Sequence, residues 1–89
     1  MDANTVTPEP ATTWYGNRRH YSTDLHDDEW NPGKGRRGTA VCSTASNPVD
    51  VNAQDWIDAM AGEYPHLAKI TVADLPVCKK CVRKAGIPS

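Results

Sequence analysis

Phenylalanine is absent from this chain of 89 residues, and only 38% of its residues are apolar. A chain of this length makes one domain and buries only about 60% of the surface that its unfolded form exposes. With a mean hydropathy of -0.63, it has too few large apolar side chains to build a deep core. Scaffolds this small usually rely on a staple, either disulfides or a metal ion. The cysteine count decides between them. Three cysteines cannot close a disulfide framework without leaving one thiol over, whereas three thiolates and one imidazole complete a tetrahedral zinc site.

Other absences narrow the setting. No apolar run approaches the ~20 residues that span a bilayer, and residues 1–13 lack the basic and apolar stretches of a secretion signal. A cytoplasmic location with no membrane partner is therefore expected, in a reducing medium that keeps thiols available for metal. The formal net charge is -1, so the chain as a whole sets up no field that attracts nucleic acid or an anionic membrane.

Residues 1–13, rich in Thr, Pro, Asn and Ala without periodicity, are expected to be a disordered tail, leaving a single domain over 14–87. Trp14, Tyr15, Tyr21 and Thr23 favour strand, and alternation over Arg18–Thr23 predicts a first strand. Gly38–Ser43 predicts a second. Together they suggest a hairpin over 18–43 with a long loop, 24–37, broken by Asn31, Pro32, Gly33 and Gly35. Ala53, Trp56, Ile57, Met60 and Tyr64 form an apolar stripe that predicts a helix over about 52–64, with Asn52 as its N-cap. Ile70–Val72 reads as a short strand. A knuckle and short helix follow over 77–85, stopped by Gly86 and Pro88.

Cys78-Lys79-Lys80-Cys81 is the strongest single motif. Two thiolates three positions apart, on a turn entering a helix, can both reach one ion at about 2.3 Å. The helix start and the neighbouring Lys79, Lys80, Arg83 and Lys84 would favour the thiolate forms. Cys42 supplies a third sulfur; its alternative is an ordinary buried thiol. A redox pair is the other alternative for the CxxC, but no βαβ pattern precedes it. The expected fourth ligand is His20, which the inferred strand pairing places on the face of Cys42. His26 and His66 remain alternatives.

The order His…Gly-x-Thr-x-x-Cys…Asp-Leu-Pro-x-Cys-x-x-Cys-x-Arg, carried here by His20, Gly38, Thr39, Cys42, Asp74, Leu75, Pro76, Cys78, Cys81 and Arg83, resembles a group of short single-zinc proteins of actinobacteria and their bacteriophages, mostly of unknown function. The resemblance covers about residues 18–85. It implies a small α+β zinc-stapled domain: a zinc-ribbon-like or treble-clef-like hairpin bearing His20 and Cys42, a middle helix, and a short C-terminal helix opened by the cysteine pair. The interval between His20 and Cys42 is longer than the group's usual one, which keeps His26 in play.

Catalysis is not expected, because three cysteines and a histidine close a zinc site that an enzyme would keep open to water. The acidic run Asp24–Glu29 lacks the ligand spacing of an EF-hand loop. Function is then expected on surfaces. Trp30, on a Gly/Pro loop, is either an exposed anchor or part of the thin core. Arg18, Arg19, Lys34, Arg36 and Arg37 form one basic group on the expected hairpin, and Lys79, Lys80, Arg83 and Lys84 form another. The leading expectation is a phage-encoded accessory module that binds a host or viral protein in the host cytoplasm. The alternative is a small nucleic-acid-binding regulator that uses the basic face around the CxxC helix.

Overall fold

The computed structural model describes residues 7–14 and 16–87. Residues 1–6 of the expected tail, Tyr15 of the first strand-forming run and Pro88 of the expected stop lie outside the described residues. Strands β1 (Glu9–Thr12), β2 (Arg19–Ser22), β3 (His26–Asp27), β4 (Arg36–Thr39) and β5 (Asp50–Asn52) precede helix α1 (Gln54–Met60). Two 3-10 turns, Pro65–Lys69 and Val72–Asp74, then lead to helix α2 (Lys79–Ala85). The strands form one antiparallel sheet in the order β2-β1-β5-β4-β3. The architecture is α+β.

Two sequence expectations are corrected by this topology. The supposed tail contributes β1, which lies inside the sheet, with Ala11 and Thr12 wholly buried. Its Pro10 pairs with Tyr21 of β2, while β5 meets β1 only at Thr12. Pro10 therefore has a strand neighbour on one side only, a position that tolerates a missing N–H. The second correction concerns the hairpin. β2 does not ladder with the segment 38–43, because β1 and β5 stand between β2 and β4.

β2 and the exit of β4 nevertheless meet. Val41 N–H donates to Tyr21 O at 2.8 Å, and Ser22 Oγ donates to Thr39 O at 2.8 Å. Asp24 Oδ1 accepts from Thr39 N–H at 2.8 Å and from Ser22 Oγ at 2.6 Å. The sheet thus curls until strands that are not ladder neighbours touch at one end. The expected loop 24–37 is partly ordered as well, since His26 and Asp27 pair with Arg37 and Arg36. Gly35 adopts φ +102° in that loop, and a Cβ there would strike the backbone of Trp56. Only glycine fits so close an approach at that angle.

Apolar burial is divided into two small clusters. Ala11, Ala40, Val51, Cys78 and Cys81 form one, with Tyr21, Leu25, Val41, Cys42 and Val49 packed against it. Trp56, Ile57, Leu67 and Val72 form the other, with Met60, Ala61 and Ile70 beside it. The α1 stripe thus buries Trp56 and Ile57 as its periodicity requires, but the helix is shorter than the 52–64 expected. Asn52 belongs to β5, and the N-cap position is Ala53, without a side-chain cap. Gln54 ties the helix down instead: its Nε2 donates to Ile70 O and its Oε1 accepts Val72 N–H. That tether replaces the expected strand at 70–72 with a 3-10 turn. Trp14 is only partly covered, stacked edge-on against Trp56 and Tyr64. Among the described residues no helix is long and apolar enough to cross a membrane.

Removing residues 1–12 is expected to abolish cooperative folding, because it strips β2 and β5 of the strand that joins them. Circular dichroism melting of the truncated chain checks this; a transition like that of the full-length protein would restore the tail reading.

Candidate metal centre

Four donors reach the centre from three separate stretches of chain. His20 is the second residue of β2, and Cys42 sits in the tight turn after β4, closed by Ser43 N–H to Ala40 O. Cys42 is therefore on a turn and not at a strand end as the sequence suggests. Cys78 is the N-cap of α2, and Cys81 lies in that helix's first turn. Backbone pairing positions Cys78: its N–H donates to Arg19 O at 2.8 Å, and Arg19 N–H donates to Pro76 O at 2.8 Å. A bridge between Arg19 and Val77 extends this contact, so the knuckle is pinned to the strand residue adjoining His20. At the far end of α2, Gly86 in the left-handed region satisfies the last carbonyls.

The ligand atoms of His20, Cys42, Cys78 and Cys81 all lie within 4.8 Å of one another. His20 Nδ1 is 3.6 Å from Cys42 Sγ and 3.5 Å from Cys81 Sγ, and Cys78 Sγ is 4.0 Å from Cys42 Sγ. A tetrahedral ion with zinc–sulfur bonds of about 2.3 Å and a zinc–nitrogen bond of about 2.0–2.1 Å sets the sulfurs about 3.8 Å apart and sulfur to nitrogen about 3.6 Å apart. The donor set therefore fits one such ion, with Nδ1 as the imidazole donor. All three cysteines are free thiols.

Burial and charge explain why the cluster calls for a cation. Cys81 is wholly buried, His20 and Cys78 nearly so, and Cys42 is half-buried. Burial, followed by the Cys81 and Cys78 sulfurs, pushes the Cys42 thiol up to about 12. Burial also acts to raise Cys78. The Cys81 backbone N–H, the neighbouring thiols and the Lys80 backbone N–H outweigh it and leave Cys78 below its ordinary value. Three thiolates this close repel one another, and a divalent ion removes that repulsion. His20 is held below the usual imidazole value by burial and then by the nearby Arg18 charge. It is therefore neutral at physiological pH, the form that binds a metal.

The other two histidines stand apart. His26 is exposed on β3, its Nδ1 against Asp24 O at 2.7 Å, and His66 is exposed beside Tyr64. The expected partner-binding residues divide between separate surfaces. Lys79, Lys80 and Arg83 line a groove beside His20, Cys42 and Cys78. Arg18, expected only as a member of the hairpin's basic group, completes its cationic lining. Lys84 is exposed on α2 but does not line that groove. Arg37 and Trp30 border a second, smaller depression, and Trp30 is 86% exposed. Arg36 is already engaged, pairing with Glu9 at 3.0 Å and Asp55 at 3.2 Å; it joins β1 to α1 and is not a free contact residue. Within the acidic run, Asp28 is buried. It accepts from Trp30 N–H at 3.0 Å and Asn31 Nδ2 at 3.2 Å, which shapes the loop carrying Trp30.

His20→Ala is expected to weaken metal affinity by more than about 100-fold, beyond the 10–100-fold typical of changes around the ligands. His26→Ala and His66→Ala should leave it unchanged; competition with a chromogenic chelator measures all three. Because folding depresses the His20 value, that contribution to stability is full above the ordinary imidazole range and lost as pH falls through the depressed value. Proton competition for the thiolates acts in the same direction. Metal release on acidification, followed by the same chelator, should therefore grow as pH falls below the ordinary imidazole range. No protein-family model, curated protein or solved structure matches the chain, and what the centre does must be argued from its own geometry.

Proposed function

We propose that this chain is a non-catalytic, zinc-stapled interaction module. The observation that carries the reading is the convergence of one imidazole and three thiol donors within 4.8 Å in a chain whose two apolar clusters are small. A tetrahedral site rich in thiolate favours zinc among the common divalent ions. Four protein donors fill the tetrahedron and leave no position for a reacting water, so the ion's work is structural. Free thiols that serve as ligands suit a reducing compartment, and the host cytoplasm is the location we assign.

The CxxC knuckle running into α2 is the part of a zinc-ribbon or treble-clef pattern that we carry forward. The other half differs in construction, because His20 and Cys42 come together through the curl of the sheet and not through a hairpin ladder. The resemblance to short single-zinc proteins of actinobacteria and their phages supports an accessory role on the same grounds as before, its ordered motif residues. A protein partner has one observation in its favour, the exposed Trp30 on a loop shaped by Asp28. Trp is enriched among the residues that dominate protein interfaces.

Structural zinc contributes apparent free energies of about 10–16 kcal/mol at neutral pH. Burying one large apolar side chain contributes about 1.5–3 kcal/mol, and among the described residues the large apolar side chains of the core are few: Val51, Trp56, Ile57, Leu67 and Val72. Strong chelation is therefore expected to unfold the domain, and readdition of zinc to restore it. Far-UV circular dichroism checks both steps. A spectrum and melting curve unaffected by chelator, with zinc shown to have left, would contradict the proposal.

A further inference from the structure

The groove beside the metal ligands has a volume of about 450 Å3 and brings together Arg18, Lys79, Lys80 and Arg83 from opposite walls. No carboxylate lines it among the described residues. The ion pairs among the described residues all belong to Arg36, so none of these four cations has a counter-ion among the described residues. The metal centre accounts for only part of this charge. Three thiolates around a divalent ion leave one net negative charge, and four cations exceed it by about three.

A second, smaller groove is lined by Val77, Lys79, Val82 and Arg83. It shares Lys79 and Arg83 with the first. The cationic surface therefore crosses α2 as a track, continued on that helix by the exposed Lys84. A track of this kind suits a chain of repeated negative charges better than one small anion. Among the described residues that line the main groove there is no Phe, Tyr or Trp, the one ring is the imidazole of the candidate ligand His20, and Val49 is the one aliphatic side chain. Protein partners anchor chiefly through large aromatic and apolar residues in pockets, whereas the apolar side chains along this track, among the described lining residues, are three valines, Val49, Val77 and Val82. Base recognition in single strands relies on aromatic stacking, for which those lining residues offer no Phe, Tyr or Trp. Contact through phosphates, positioned by Arg and Lys, is what remains.

We propose that this track binds the phosphodiester backbone of nucleic acid, with Arg18, Lys79, Lys80 and Arg83 as the phosphate-contacting residues and without base selectivity. The inference rests on the zinc-module reading, since the metal holds both walls of the groove in place. Four phosphate contacts correspond to salt slopes of about -2.8 for a single strand and -3.6 for a duplex. Between 50 and 200 mM salt, affinity should then fall about 50-fold for a single strand and about 150-fold for a duplex.

The test is fluorescence anisotropy of the full-length, zinc-loaded chain with a labelled 20-nucleotide oligothymidylate, a mixed-sequence oligonucleotide of the same length and a 20-base-pair duplex, across that salt range. Zinc content is assayed in every sample. Equal affinity for the two single strands is expected. Arg18→Gln with Arg83→Gln should weaken binding at least about tenfold at the lower salt and halve the slope. Lys80→Gln with Arg83→Gln should do the same if the first pair loses zinc. Absence of binding at 50 mM salt, binding insensitive to salt, or a glutamate peptide of equal charge that competes as well as the oligonucleotide would each overturn the proposal. A chain that holds one zinc yet binds no oligonucleotide sinks the groove and leaves the zinc module standing. Binding by a chain that never holds zinc sinks the module.

Discussion

Three sulfurs and one ring nitrogen, drawn from β2, the turn after β4 and the start of α2, are confined to a space that a single ion would fill. Left alone, such a cluster opposes its own charges: burial and neighbouring sulfurs push Cys42 to about 12, so that thiol stays protonated unless a cation enters. A divalent ion turns that opposition into cohesion. It joins the first third of the chain to its last dozen residues, stretches between which the hydrogen-bonded sheet provides no ladder. The apolar clusters flank this junction without replacing it: the buried members of one are alanines, a valine and two of the cysteines themselves, and the other gathers around α1.

The sheet is shaped around the same need. Its strands are two to four residues long, and β1 and β5 share a single residue pair, so its two halves are loosely hinged. Side-chain and backbone bonds through Ser22, Asp24 and Val41 close the curl at the end where Cys42 emerges. On the other wall, the exchange of backbone bonds between Arg19 and the Pro76–Cys78 segment sets the knuckle beside His20. The four donors thus meet where two independent hydrogen-bonded closures come together, and the walls of the cationic groove are those same closures.

Much of the centre was legible in the sequence, and its limits have physical causes. The CxxC spacing is local, so Cys78 and Cys81 announce their shared geometry directly. Cys42 and His20 could be named because a core-poor chain with an odd thiol needs a third and fourth donor. Their route to the site could not be read, because strand order depends on pairings distant in sequence. β1 was invisible for a related reason: Glu9, Pro10 and Ala11 are poor strand formers, Thr12 alone gives no alternating run, and burial alone marks Ala11 and Thr12 as structural. Asn52 satisfies the usual N-cap pattern but was claimed by β5. Asp28 looked like one more solvated charge in an acidic run, and only the packing of its loop shows it accepting two bonds. Arg18 was one arginine among several until the fold placed it across from α2.

The most direct test of the account is X-ray absorption at the zinc edge on the purified, full-length protein. The donor set described here predicts three sulfurs at about 2.3 Å and one nitrogen at about 2.0–2.1 Å, with no bound water. Four sulfur neighbours, an oxygen ligand from an open coordination position, or no zinc in the folded protein would contradict it.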